Sequence, residues 1–142
     1  MYSLRDANNR DLEKLKEYKL ATILDYANDI SDDERKEIID YVNMVIVKQL
    51  SEYKIIMCDD IDIGCLLVYK YEEGYLIDEL YLDSDYRGKG IGSEILRDLI
   101  NKYNILYLLV YKDNERAVRL YKKLGFKVIE STDFRYFMKY QD

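Results

Sequence analysis

The chain has 142 residues, of which 49% are hydrophobic and 35% charged, with a net charge of −6 and no histidine. That is the size of one domain, so residues 1–142 are expected to form a single globular unit around one core. Without histidine, Ser-His-Asp triads, Cys-His nucleophile pairs and histidine-ligated metals are excluded, and acid–base chemistry falls to Asp, Glu, Tyr, Lys or Cys.

The acidic balance argues against nucleic acid as a partner, because phosphate binding needs a basic face, and it favours a cationic ligand. The longest apolar runs, such as Ile105 to Val110, are too short to cross a membrane. The start, Met1 to Asp6, lacks a basic stretch followed by an apolar one, so a cytoplasmic protein is expected. Cys58 and Cys65 then read as small core residues rather than a disulfide.

In chain order, Met1 to Arg5 reads as a first strand, and Asn8 or Asn9 can cap a helix through Leu12, Leu15, Tyr18 and Leu24. A break at Asn28-Asp29-Ile30-Ser31 follows, and Ser31 with Glu34 makes a capping box. The next helix lines up Ile38, Val42, Val45 or Ile46, and Leu50. Asp25, Asp29, Asp32, Asp33, Glu34, Glu37 and Asp40 around these helices are read as solvated or dipole-favoured charges, with lining of a cationic entrance as the sharper alternative.

The period then changes to that of strands. Tyr53 to Cys58 and Ile63 to Tyr71 flank Asp59-Asp60-Ile61-Asp62, a hairpin signal, and Glu72-Glu73-Gly74 leads into Tyr75 to Leu82. Ile105 to Tyr111 is almost wholly apolar, as a strand buried on both faces would be. Asn114 can cap a helix carrying Ala117, Leu120, Tyr121 and Leu124, with Gly125 as its left-handed stop. Phe126 to Ile129 and Phe134 to Tyr140 make a final hairpin, where Tyr136 and Tyr140 look exposed enough for a homodimer contact or for an ordinary edge.

Between the third strand and Ile105 lies Tyr86-Arg87-Gly88-Lys89-Gly90-Ile91-Gly92-Ser93, followed by Ile95, Leu96, Leu99, Ile100 and Tyr103 on one helical face. Strand, glycine turn and helix form an anion-binding geometry, because the first helical amides lack partners and glycine lets a ligand come close. Arg87 and Lys89 add positive charge. With Ile105 to Tyr111 this makes a β-α-β unit, so its two strands should be parallel within an otherwise antiparallel sheet.

These motifs together resemble the GCN5-related N-acetyltransferase (GNAT) family. The residues that carry the likeness are Arg87-Gly88-Lys89-Gly90-Ile91-Gly92, Asn114 with Ala117, and Leu120-Tyr121-Lys122-Lys123-Leu124-Gly125-Phe126. The opening strand with Arg5 and the Ile63-Gly64 strand also fit. The resemblance implies a mixed α/β fold: a mostly antiparallel central sheet, a parallel pair splayed around acetyl-CoA, and helices on both faces. It implies acetyl transfer from acetyl-CoA, as co-substrate and without a metal, to an amine by direct attack.

By the same resemblance, amides from Gly88, Lys89, Gly90, Ile91, Gly92 and Ser93 hold the pyrophosphate with help from Arg87 and Lys89. The backbone at Leu80 and Leu82 pairs with pantetheine where the strands at Tyr81 and Tyr107 splay, and Asn114 bonds to the pantetheine arm. Asp78 or Glu79 is the base or the ammonium partner; alternation along a strand lets only one face the cleft, and Glu79 matches the family's acidic position. Tyr121 matches the tyrosine that protonates the departing thiolate, while Lys122 and Lys123 are read as solvated. The expected acceptor is a small cationic amine: polyamine-like, aminoglycoside-like or an amino-acid derivative. A protein N-terminus or lysine, and a catalytically silent acetyl-CoA sensor, stay open as alternatives. A nucleotide site is disfavoured because the turn is Gly-x-Gly-x-Gly and lacks a P-loop's Gly-Lys-Ser/Thr.

Overall fold

The computed structural model describes residues 1–27 and 29–142. Asn28, the first residue of the expected interhelical break, lies outside the described residues. Strands β1 (Ser3–Asp6), β2 (Tyr53–Cys58), β3 (Ile61–Tyr71), β4 (Gly74–Leu82), β5 (Ile105–Tyr111), β6 (Lys127–Ser131) and β7 (Arg135–Gln141) form a seven-stranded sheet of order β1-β2-β3-β4-β5-β7-β6. Helices α1 (Leu12–Asp25) and α2 (Asp32–Gln49) precede β2, α3 (Ile91–Lys102) joins β4 to β5, and α4 (Glu115–Lys123) follows β5. The β4–β5 pair is parallel, and β1–β2, β2–β3, β5–β7 and β6–β7 are antiparallel, which is the mixed α/β arrangement expected.

The chain divides into two compact units, Met1–Leu67 with Tyr81–Asp83, and Val68–Leu80 with Ser84–Asp142. In the first, Asn8 caps a short 3-10 turn through a capping box with Asp11, and α1 grows from that turn. Ser31 and Glu34 make the expected capping box of α2, whose first turn carries Asp32, Asp33 and Glu34 where the helix dipole favours acids. The core collects Leu15 and Tyr18 from α1, Val42 and Ile46 from α2, and the strand residues Tyr53, Ile55, Ile56, Ile63, Cys65, Leu66 and Leu67. Ile46, not Val45, therefore faces inward.

The β2–β3 turn is tighter than its sequence suggested. Asp59 and Asp60 both adopt left-handed φ, 51° and 65°, so two residues suffice and β3 starts at Ile61 rather than Ile63. A groove of about 360 Å³ between α1 and α2 is lined by Glu13, Lys16, Glu17, Leu20, Ile39, Val42 and Asn43. None of the acids flagged as a possible cationic entrance lines it, and its own two acids are ion-paired, Glu13 with Lys16 and Glu17 with Lys14.

Two close contacts fix this unit. Arg5 forks onto both Asp11 oxygens at 2.8 and 2.9 Å and also donates to Asp62. Asp11 also accepts the Asn8 N–H at 2.8 Å, and it is only 9% exposed. Gly64 is the other: a Cβ there would lie 1.9 Å from the Tyr81 carbonyl oxygen. The Asp83 N–H donates to the Ile63 carbonyl at 2.7 Å beside it, so the backbones of β3 and β4 meet closely where β4 ends.

In the second unit, Ile91, Ile95 and Leu96 from α3, Val118 from α4, Phe126 and Met138 pack with Leu106, Tyr107, Leu108 and Val110 of β5. Phe126, read as the start of β6, is buried ahead of that strand. Tyr136 and Tyr140, read as exposed, are half-buried: Lys112 and Lys122 nitrogens sit over the Tyr136 ring, and Tyr140 packs on Phe126 at 5.6 Å. β5 is not buried on both faces throughout, since Leu109 is 48% exposed. No helix among the described residues is long and apolar enough to cross a membrane.

Gly64→Ala is expected to cost ~3 kcal/mol of stability or fail to fold, because the obstacle is backbone and cannot swing aside; denaturant unfolding measures it. A second test concerns pH. Arg5, chiefly through its hydrogen bonds, holds the Asp11 carboxyl below the ordinary carboxylate range. The stabilisation is complete above the unfolded value near 4 and is lost as pH falls through the lower folded value. Asp11→Asn should therefore cost about 2 kcal/mol at pH 7. The gap from wild type should close below about pH 4 in acid-unfolding curves.

Candidate active site

The glycine turn sits between β4 and α3. Gly88 and Gly90 have φ of 74° and 87°, the left-handed region that glycine enters without strain. Gly90 is the N-cap of α3 and supplies no side-chain hydrogen bond. The Glu94 N–H bonds back to the Gly90 carbonyl at 3.0 Å, so the amides of Ile91, Gly92 and Ser93 precede the helical ladder. Of the other helices, α2 is capped by Ser31 and α4 by Asn114 through the Ala117 N–H, whereas α1 grows out of a 3-10 turn without a side-chain cap of its own. A helix whose cap has no side chain keeps its first amides and the positive end of its dipole for an anion.

Arg87 and Lys89 flank the turn and are exposed, with the Lys89 nitrogen 5.6 Å over the Tyr86 ring. A third cation lies close by that the sequence did not suggest. The Arg116 guanidinium, in the first turn of α4, comes within 3.1 Å of the point where a Gly88 Cβ would stand. Only the approach of α4 to the turn makes this residue part of the site; its position two after the Asn114 cap gave no signal.

The parallel ladder is short. Tyr75, Leu76 and Ile77 pair with Leu106, Tyr107 and Leu108, and the register ends there, although both strands continue. Tyr107, expected at the point of divergence, lies instead within the ladder opposite Leu76 and is buried. Its hydroxyl donates to Glu73, which also holds Lys139 at 2.8 Å. Beyond Leu108 the strand keeps β7 on one side, and the exposed Leu109 is where β4 no longer runs beside it. Leu80 and Leu82 on the diverging part of β4 are partly buried.

Alternation separates the two acids. Asp78 is exposed and accepts the Tyr69 hydroxyl at 2.9 Å, whereas Glu79 is buried at 7% exposure, one of two buried charged residues among the described residues. Downstream, Asn114 uses its side-chain oxygen to accept the Ala117 N–H at 3.3 Å, which leaves its N–H₂ as the donating end. Tyr121 is partly buried on α4 with its ring 5.8 Å from Phe126. Gly125, at φ 105°, ends that helix, and the Phe126 N–H returns to the Tyr121 carbonyl.

The family model for the acetyltransferase (GNAT) domain matches residues 34–128, the stretch that holds the glycine turn, β4, β5 and α4. That is more than half of the chain, and the chain belongs to this family. Over 64 residues it is 34% identical to a probable spermine N(1)-acetyltransferase of Bacillus subtilis subsp. natto, a match covering 41% of this chain and 42% of that one. Over 55 residues it is 40% identical to the peptidyl-lysine N-acetyltransferase YjaB of Escherichia coli, covering 39% of this chain and 37% of that one. The matches thus span less than half the length of these curated relatives. Among solved structures, a PaiA N-acetyltransferase of Thermoplasma acidophilum in complex with coenzyme A superposes with a TM-score of 0.73 at 22% identity, over 100% of this chain and 99% of that one.

The residues at the turn fit such a donor: two left-handed glycines, three amides ahead of the ladder, and no atom within 4 Å of where a Gly90 Cβ would stand. That open space also defines a test. Gly90→Ala meets no neighbour, so its cost is purely conformational, about 1 kcal/mol, while Gly90→Asn should cost less than half as much because Asn tolerates left-handed φ. Urea unfolding of the two variants reads the difference.

Proposed function

We propose that the chain moves an acetyl group from acetyl-CoA to a primary amine by direct attack, and that the acceptor is a small cationic amine of the polyamine class. The observation that carries this reading is the burial of Glu79 on β4, a few residues ahead of the uncapped turn, with Asp78 turned to solvent. The net charge of −6 and the relative named as a spermine N(1)-acetyltransferase favour the cationic acceptor.

When bound, acetyl-CoA supplies an activated thioester. The amides of Ile91, Gly92 and Ser93, with Arg87, Gly88, Lys89 and Gly90, hold its pyrophosphate against the positive end of α3. The Leu80 and Leu82 backbone takes the pantetheine arm as an added strand beside the diverging β4. The Asn114 N–H₂ donates to that arm while its oxygen keeps the α4 cap. An alkyl ammonium with a pKa of about 10.4 is neutral in about one molecule per thousand at pH 7, so a base must remove its proton before attack. Glu79, buried on β4 ahead of the turn, takes that proton. The Tyr121 hydroxyl delivers a proton to the departing sulfur.

A second reading, with a protein lysine as acceptor, is favoured by the 40% identity to the peptidyl-lysine acetyltransferase over its matched segment. Release of free CoA thiol across spermidine, spermine, aminoglycosides, amino-acid derivatives and a lysine peptide separates the two. Turnover concentrated on the polyamines is the expected result, and turnover of the peptide alone selects the lysine reading. Thermal stabilisation by acetyl-CoA with no turnover of any amine would identify a silent sensor module. Within the panel, Glu79→Gln should lower kcat about 100-fold at pH 7 and leave a rate that climbs toward the amine's own pKa. Tyr121→Phe should lower kcat about tenfold with the acetyl-CoA KM little changed; an unaltered kcat would remove Tyr121 from the chemistry.

A further inference from the structure

We infer that Arg116 is a donor-binding residue that closes over the glycine turn and grips the diphosphate, so that the first turn of α4 holds the donor at two points. This rests on the acetyl-CoA reading above. The geometry is specific. Arg116 Nη2, Nη1 and Cζ lie 3.1, 3.9 and 4.0 Å from the point a Gly88 Cβ would occupy, so the whole guanidinium lies across the bare backbone of a left-handed glycine. No ion pair or hydrogen bond of Arg116 is present among the described residues, although Asp113 and Glu115 flank it in sequence. A cation in the first turn of a helix opposes the dipole, and α4 places its own lysines, Lys122 and Lys123, in the last turn where they suit it. Arg116 therefore gains nothing from its own helix at that position. What lies beside it is Gly88, two residues ahead of Gly90, the N-cap of α3, which makes no side-chain cap bond.

A guanidinium offers a rigid fork of N–H donors that matches two phosphate oxygens at once, where the Lys89 ammonium offers a point charge. The contact also ties the two ends of the donor together. Asn114, two residues before, faces the pantetheine arm in the proposed mode, so Arg116 takes the diphosphate from the same helical turn. Donors lacking the diphosphate forgo this contact, and Arg116 thereby selects coenzyme A thioesters over short pantetheine thioesters.

Titration calorimetry of the full chain with CoA, dephospho-CoA and pantetheine tests this, using Arg116→Gln, Arg116→Lys and Arg119→Gln. Arg119 is an exposed arginine on the same helix and controls for loss of one positive charge. Arg116→Gln should weaken CoA and dephospho-CoA alike, by about tenfold or more, as expected for losing a charge-assisted pair, and leave pantetheine unchanged. Arg116→Lys should recover only part of the loss, and Arg119→Gln should change either nucleotide less than threefold. A loss confined to CoA would move the contact to the 3′-phosphate and overturn the assignment, as would no loss, or an equal loss in the Arg119 control. Failure of the wild type to bind CoA would instead overturn the acetyl-CoA reading itself.

Discussion

The second unit depends on a ladder that stops. β4 and β5 are parallel neighbours through Ile77 and Leu108, and past that pair the two strands continue without each other. Leu109 on β5, just past the end of that ladder, is 48% exposed. The turn that follows β4 then enters α3 through a glycine instead of a capping side chain. Both departures fall in one short stretch of chain, between Asp78 and Gly90.

The absence of histidine shapes how the remaining polar groups are used. Most of the 16 tyrosines work as packing residues with a polar end. Tyr75 stacks on Tyr103 at 4.0 Å, and Tyr107 gathers Tyr71 and Phe137 around a hydroxyl held by Glu73. In the first unit Tyr18 stacks on Tyr81 at 4.6 Å, and burial pushes its phenol well above the ordinary value, with nearby Asp83 adding to the effect. Against that background Tyr121 is distinguished by where it sits, on the helix that Asn114 caps and Gly125 ends, and not by being a tyrosine.

Local chemistry was readable wherever one residue type meets one backbone need. The Ser31–Glu34 box, the Asn114 cap and the Gly125 stop all formed where the sequence placed them, because each satisfies groups within a few residues of itself. Boundaries moved where that locality broke down. The β2–β3 turn tightened because two aspartates accept left-handed φ, and Phe126 left its strand for the core. The uniform apolarity of β5 suggested burial on both faces, yet Leu109 is exposed, because burial is set by what packs on each face of the sheet, which composition does not encode.

The sequence by itself determined the order of elements, the one parallel crossover, the glycine turn and the family, since each rests on short-range periodicity, capping or a contiguous motif. By lacking histidine it also limited acid–base chemistry to Asp, Glu, Tyr, Lys or Cys. Only the tertiary structure decided which of Asp78 and Glu79 is buried, where the β4–β5 ladder ends, and that Arg116 reaches Gly88. Those three are matters of distance between segments remote in the chain, and they are fixed by how the packed strands and helices approach one another, a quantity that no local pattern carries.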